Sequence, residues 1–295
     1  MVIILMAIYA SLLSPNFLTP PNLLNVARQA VPLSLVAIGQ TLVILTGGID
    51  FSVGAVAGLV GIVAAVMLAD SPDLVIPVST LCLILGTGIG LCSGLLVTRV
   101  GANPFVATLG VSSVVSGIIL TITTGPIGRA PGSFLGAYGA AVGGVPIVVI
   151  GLAIAWLAAW VVLTRMPLGR HLYGVGGSAD SARTAGIRVE RTVIFAYVAS
   201  GFLAATTGLF LLARSGIGDP SFGRGLDFLS VTAVALGGVS LYGGRGSLFG
   251  TLGGVLLLTL LTNVFNLTQV DTFYQQLLTG MIVLFAVAAV KTRKE

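Results

Sequence analysis

Residues 147–163 read IVVIGLAIAWLAAWVVL and carry no charged side chain. In the hydrocarbon core of a membrane, every backbone N–H and C=O group must be hydrogen-bonded within the protein, which only helices and closed barrels achieve. A barrel strand alternates apolar and polar residues, and this unbroken apolar run excludes that pattern. The stretch therefore predicts a transmembrane helix and an all-α fold for the chain.

The composition supports an integral membrane protein. Of the 295 residues, 56% are hydrophobic and 8% are charged, against about a quarter charged in soluble domains. The whole chain, residues 1–295, is predicted to form one transmembrane domain. Its formal charge of +5 comes from basic loop residues, which indicate orientation rather than nucleic-acid binding. Cys82 and Cys92 have no His or Cys cluster near them, so we expect neither a metal site nor a cofactor.

Apolar runs between turn signals predict about ten spans and hence both termini on one side. The first span, 1–13, lacks the basic leader that is typical of a cleaved signal peptide. Because it is too short to cross the hydrocarbon core, we expect it to be truncated at its amino end. Two further spans are short and run into glycine pairs, which favours discontinuous helices beside a translocation path, or alternatively short tilted helices. The predicted spans are 1–13, 31–47, 52–69, 74–98, 104–124, 145–164, 192–213, 227–241, 247–267 and 273–290, the short pair being 31–47 and 227–241.

Basic residues favour an orientation with both termini in the cytoplasm, since Lys and Arg concentrate on that side of bacterial membranes. The predicted inner residues are Arg99, Arg165, Arg170, Arg183, Arg188, Arg191, Arg245, Lys291, Arg293 and Lys294, against Arg28, Arg129, Arg214 and Arg224 outside. The outer segment 125–144 is poor in charge, and we expect it either to lie against the protein or membrane interface or to be an ordinary mobile loop.

Small residues recur at helical spacing and predict close helix contacts. They are Gly86, Gly90 and Gly94; Gly246, Gly250 and Gly254; and Gly54 with Gly58.

Asp50 is a lone carboxylate between two long apolar runs. An ionisable group at membrane depth is costly and usually functional. Asp50 could instead cap the following helix, with Gly47 and Gly48 supplying the turn. Either role allows it to shape a gate.

Other polar residues on the apolar runs are candidates for lining or shaping a solute route. Amide and hydroxyl groups can bind an uncharged hydroxylated solute, and they can equally bond neighbouring helices. With Asp50, the predicted route residues are Gln40, Thr41, Ser52, Asn103, Asn263 and Asn266.

The long polar segment 165–191 is predicted to be a cytoplasmic loop. Within it, Ser178 is a plausible N-cap, alanines follow at helical spacing, and Gly186 predicts a stop, which together indicate a short helix. This helix could dock on a partner or lie idle at the headgroup level. No G-x-x-x-x-G-K-[ST] phosphate loop is present, so the chain cannot hydrolyse ATP alone.

Four stretches are spread along the chain: 14–29, TLVILTGGIDFSVGAVAGLVGIVAA at 41–65, the segment 169–214, and VTAVALGGVSLYGGRGSLFGTLGGVLLL at 231–258. They resemble the permease subunits of bacterial ABC importers for ribose and related monosaccharides, within the group that includes branched-chain amino acid permeases. The pattern GGIDFSVG favours sugars over amino acids.

The resemblance implies a permease of the bacterial inner membrane that moves a monosaccharide or similar small polar solute by alternating access. It implies a coupling helix that docks on a separate ATP-binding subunit, a second permease copy or sister chain, a periplasmic solute-binding protein and contact with membrane lipid, but no nucleic acid. ATP would be bound by the partner. The coupling residues are then Ser178, Ala179, Asp180, Ala182, Arg183, Ala185, Gly186 and Ile187. The alternatives are an ion-coupled secondary transporter and a membrane scaffold that transports nothing.

Overall fold

The computed structural model describes residues 10–11, 15–271, 273–275, 277–278 and 280–281. This part of the chain is mainly helical. Its helices are α1 (Pro20–Leu45), α2 (Val53–Asp70), α3 (Val75–Thr98), α4 (Pro104–Ile122), α5 (Gly132–Gly139), α6 (Ile147–Arg165), α7 (Pro167–Gly177), α8 (Ala179–Thr184), α9 (Val189–Ser215), α10 (Leu226–Leu236) and α11 (Leu248–Leu267). A 3-10 turn (Pro72–Leu74) precedes α3, and a small antiparallel hairpin, β1 (Ala141–Val142) with β2 (Val145–Pro146), precedes α6.

Six of these helices are long and apolar enough to cross a membrane: α1, α3, α4, α6, α9 and α11. Two shorter apolar helices, α2 and α10, lie among them. Most of the first and last predicted spans, 1–13 and 273–290, lies outside the described residues, so the count of ten stays a prediction, as does the orientation. The all-α class is confirmed.

The core is built around α1 and α9. The apolar window of α1 is 89% buried, whereas that of α6 is 11% buried. In turn α9 packs against α3, α1 and α2. A helix enclosed on all sides can carry polar groups that other parts of the protein satisfy, while α6 presents apolar side chains outward.

Glycines bring α3 and α9 into backbone contact, as their spacing predicts. Gly90 lies against the backbone of Tyr197, and a Cβ on Gly86 would lie 2.8 Å from the Gly201 carbonyl oxygen. The same holds for α10 and α11, where Gly254 lies against the Ala233 carbonyl group. The predicted glycine contacts are confirmed.

The segment before α10 is irregular and runs along α2. A Cβ on Gly54 would lie 2.5 Å from the Gly223 carbonyl oxygen, and one on Gly58 would lie 2.8 Å from that of Phe222. Further along, Gly218 pairs with Ile127 through backbone hydrogen bonds. The helix that follows this segment is α10, which ends at Leu236 before Gly237, so the short helix predicted in 227–241 is confirmed.

Two expectations need correction, and one open alternative is decided. The span predicted at 31–47 is a long helix, α1, because Pro20 and Pro21 fit a first helical turn and Pro32 is accommodated inside the helix. The segment 165–191 is not mainly loop, since α7 occupies Pro167–Gly177. Of the two alternatives for 125–144, the structure favours a segment that packs against the protein, because Ala130 and Phe134 are buried against the helix bundle.

We expect Gly90→Ala to destabilise the protein. Its Cβ would overlap the backbone of α9, and overpacking costs about 1–3 kcal/mol. Gly88→Ala is the matched control on α3, because nothing lies within 4 Å of its added Cβ. Thermal unfolding in detergent should show a lower melting temperature for Gly90→Ala and none of that loss for Gly88→Ala. Equal melting temperatures would contradict the contact.

Candidate functional site

The chain reverses between α1 and α2 through residues 46–52, called here the 46–52 turn. Gly47 adopts φ +85°, in the left-handed region that favours glycine. A Cβ on Gly48 would lie 2.6 Å from the Tyr197 hydroxyl oxygen. Because residues 48–50 are not helical, their backbone polar groups need partners elsewhere in the protein.

Gln40 on α1 supplies two of these partners. With its amide oriented to satisfy both contacts, its nitrogen donates to the Asp50 carbonyl oxygen over 3.1 Å. Its oxygen accepts from the Asp50 N–H over 3.2 Å. Gln40 is fully buried. One side chain therefore bonds the backbone of Asp50 as a neighbouring strand would.

The Asp50 carboxylate fastens the turn to α9. Its Oδ1 accepts from the backbone N–H of Ser52 over 2.9 Å and from the Ser52 hydroxyl over 2.6 Å. Its Oδ2 accepts from the Ser200 hydroxyl over 2.8 Å. Asp50 is fully buried. The N-cap residue of α2 is Ser52, and Asp50 lies two residues before it. Asp50 therefore bonds the N-cap residue and is not itself the cap that we predicted.

Thr108 and Tyr197 bind two further backbone groups of the turn. The Phe51 N–H donates to the Thr108 hydroxyl oxygen over 3.1 Å, and the Tyr197 hydroxyl donates to the Ile49 carbonyl oxygen over 3.3 Å. Side chains from α1, α4 and α9 thus converge on the turn. The fold therefore stabilises the non-helical backbone of this turn.

The other predicted route residues lie apart from this turn. Thr41 bonds Thr251 on α11 over 2.9 Å. Asn263 forms a reciprocal amide pair with Asn22 over 3.0 and 3.1 Å. Asn103 caps α4 by accepting from the Phe105 N–H, and the exposed Asn266 accepts from Gln275. The structure therefore unites Gln40, Asp50 and Ser52 only, and a role for any of the seven in a solute route stays a prediction.

A polar cavity of about 210 Å³ lies between the start of α2, the middle of α4 and the irregular segment before α10. Its polar side chains are Ser112 and Ser116, one turn apart on α4, with Arg224 and Asp227. Gly223 forms part of its buried floor, while Ser116 and Arg224 are exposed at its rim. Sequence reasoning missed all four side chains, since two serines in an apolar helix resemble ordinary packing residues.

The short helix predicted in the polar segment is present as α8. The Ser178 side chain accepts from the Ser181 N–H over 3.2 Å. Gly186 adopts φ +81°, and the Ile187 N–H donates to the Ala182 carbonyl oxygen over 2.9 Å, which ends the helix. Ala182 is buried, whereas Asp180 and Arg183 form an exposed ion pair of 2.9 Å. One face of α8 is anchored and the other is available.

The helix α7 joins α8 to the ends of two other elements at a junction of glycines. Gly176 lies against the Leu45 carbonyl oxygen at the end of α1 and against the Gly244 N–H. That N–H itself donates to the Leu45 carbonyl oxygen over 3.0 Å. Tyr173 donates to the Gly246 carbonyl oxygen over 3.0 Å, and burial raises the pKa of its hydroxyl, which keeps it protonated. We call these contacts the α7 junction.

Comparisons with known proteins find a matching family and several similar permeases. Residues 22–287 match the family described as "Branched-chain amino acid transport system / permease component". The chain is similar to the ribose import permease protein RbsC of Bacillus subtilis (strain 168), 38% identical over 290 residues that cover 96% of this chain and 88% of that protein. It is also similar to RbsC of Escherichia coli (strain K12), 37% identical with 97% and 90% covered.

The D-allose transport system permease protein AlsC of Escherichia coli (strain K12) is 33% identical, with 97% of this chain and 88% of that protein covered. No solved structure matches the chain.

We expect Asp50→Asn to loosen the 46–52 turn. The amide nitrogen would replace one of two acceptor oxygens that face N–H and O–H donors, and loss of a hydrogen bond to a charged group costs about 1.5–3 kcal/mol. Asp73→Asn, at an exposed carboxylate, is the control. The melting temperature in detergent should fall for Asp50→Asn alone, and an unchanged value would contradict the anchoring role.

Proposed function

The chain belongs to the family of permease components of the branched-chain amino acid transport system, and on that premise we propose that it is the membrane subunit of an ATP-driven importer of a monosaccharide. Its similarity to ribose and allose permeases along most of their length supports a sugar as the solute. In this proposal the chain moves the solute across the bacterial inner membrane by alternating access. A separate ATP-binding subunit supplies the energy, and a periplasmic binding protein delivers the sugar to a pair of permease chains.

The observation that carries the coupling role is the placement of α8. It is capped at both ends and anchored through Ala182, and it leaves Arg183 exposed for a partner. A helix that is capped and anchored in this way can transmit a push from a docked ATP-binding subunit. The coupling surface proposed comprises Ser178, Ala179, Asp180, Ala182, Arg183, Ala185, Gly186 and Ile187.

The α7 junction gives that push a route into the bundle. A displacement of α8 moves α7, which touches both the end of α1 and the segment between α10 and α11. The first contact leads into the 46–52 turn and the second into the short helix α10. Interrupted helices of this kind are suited to gating, because few hydrogen bonds must change when they tilt.

Within the same proposal, Gln40, Asp50 and Ser52 shape the route rather than line it, since their side chains are enclosed by protein. Thr41, Asn103, Asn263 and Asn266 stay candidates for contact with the solute. An ion-coupled secondary transporter is the alternative, and it would leave α8 and its exposed ion pair without a task.

We expect Arg183→Glu to weaken association with the ATP-binding subunit. The change reverses the charge of a side chain that is 61% exposed and breaks its pair with Asp180. Co-purification and sugar-stimulated ATP hydrolysis should fall about tenfold, as for loss of about 1.4 kcal/mol at an interface. Arg129→Glu, in the 125–144 segment, is the control. Undiminished association and hydrolysis in Arg183→Glu would count against this docking surface.

We expect Gly176→Ala to uncouple hydrolysis from transport. Its Cβ would displace the α1 end from α7 at the junction, whereas Gly177→Ala meets nothing within 4 Å. In vesicles containing the complete importer, Gly176→Ala should keep ATP hydrolysis and lose most sugar uptake, and Gly177→Ala should keep both. Normal coupling in Gly176→Ala would exclude the α7 junction as the transmission path.

A further inference from the structure

The polar cavity beside α4 contains hydrogen-bonding groups that the described part of the chain leaves unused. The hydroxyls of Ser112 and Ser116 make no hydrogen bond there. Their neighbour Ser113 bonds the Leu109 carbonyl oxygen over 2.9 Å, as do many serines and threonines in these helices with the preceding turn. The Asp227 Oδ1 atom is enclosed and has no partner among the described residues. Polar groups in a protein interior are normally satisfied, so the enclosed Asp227 oxygen indicates a ligand, and the half-buried Ser112 and exposed Ser116 offer unused hydroxyls beside it.

The depth of the cavity fits a solute path. Ser112 lies about 12 Å along α4 from Pro104, at about 1.5 Å per residue. Asp227 lies about 14 Å along α10 from the far end at Leu236, on the same scale. Ser112 is therefore near the middle of α4, which is long and apolar enough to cross a membrane, and Asp227 lines the same cavity from the first turn of α10. An ionisable group within the hydrocarbon region is costly and is usually functional.

The size and chemistry of the cavity fit a small uncharged polyol. Its volume of about 210 Å³ is below the roughly 300–1,000 Å³ of sites for drug-sized ligands. The Asp227 carboxylate can accept from sugar hydroxyls, the Arg224 guanidinium can donate to them, and each serine can do either. Gly54 and Gly223, whose backbones contact each other, form part of the lining without adding side chains.

We infer that Ser112, Ser116, Arg224 and Asp227 form a transient binding site for the sugar during its passage. The inference rests on the proposed function and names the residues through which that function would be performed. Asp227 and the two serines bind hydroxyl groups of the solute, and Arg224 at the rim provides the first contact. The enclosed Asp50 network lies next to this site and holds its α2 wall in position.

The first test measures uptake by the complete importer in vesicles, with whichever of D-ribose and D-allose the wild type transports faster. Asp227→Asn should lower the maximal uptake rate about tenfold or more, the effect of losing a hydrogen bond to a charged group. Ser112→Ala combined with Ser116→Ala should lower it about threefold to tenfold, as for neutral hydrogen bonds. Ser113→Ala, on the same helix and outside the cavity, should transport at the wild-type rate.

Basal ATP hydrolysis separates a binding role from a structural one. Ser113→Ala should keep the wild-type rate of basal ATP hydrolysis. In the two cavity variants, sugar uptake should fall several-fold further than ATP hydrolysis, because neither variant touches α8 or the α7 junction. Wild-type uptake rates in both cavity variants, or a parallel loss of uptake and basal hydrolysis, would overturn the inference. If the wild type imports neither sugar with ATP, the proposed function fails instead, so the two failures are distinguishable.

A second test reports occupancy directly. In a Cys92→Ser background, Ser116→Cys should react with a small charged thiol reagent, since Ser116 is exposed at the rim. Sugar supplied during ATP-driven turnover should slow this reaction at least threefold and leave that of Ser113→Cys unchanged. Equal rates with and without sugar at Ser116→Cys would contradict the site.

Discussion

The structure depends on one constraint: backbone groups that leave a helix inside a membrane must find partners within the protein. The 46–52 turn meets this constraint through side chains rather than through secondary structure. Gln40 bonds both backbone groups of Asp50, while Thr108 and Tyr197 bond those of its neighbours. Without these partners the interruption would cost several kcal/mol for each unsatisfied group.

The same turn explains how rigid and adjustable parts are combined. The helices α1, α3 and α9 are locked by glycine contacts that place backbone against backbone, and they form the fixed body. Hydrogen bonds attach the turn to this body. The α7 junction, which adjoins α8, contacts the end of α1 that leads into the turn. Hydrogen bonds can be exchanged in a tilt, whereas close packing moves as a unit. Such a division would suit the alternating-access transport proposed for this chain.

The helix α8 could be predicted because its end signals are local in sequence. The helix α7, the partner of Asp50 and the cavity depend on contacts between distant residues and could not. Ser178 predicts the start of α8 and Gly186 predicts its end, within a few residues of sequence. The helix α7 escaped notice because Gly174, Gly176 and Gly177 are poor helix formers, and tertiary contacts override that tendency. Asp50 could be singled out as a lone carboxylate, but its partner Ser200 is 150 residues away and only the fold brings them together. The cavity serines carry no sequence signal, since two serines in an apolar helix resemble ordinary packing residues.

The most direct measurement of the central claim compares energy sources for sugar uptake in vesicles that contain the permease, with and without its ATP-binding subunit and binding protein. Uptake of D-ribose or D-allose that requires all three proteins and ATP, and that ignores an imposed ion gradient, is the predicted result. Uptake by the permease alone, driven by an ion gradient and indifferent to ATP, would contradict the assignment.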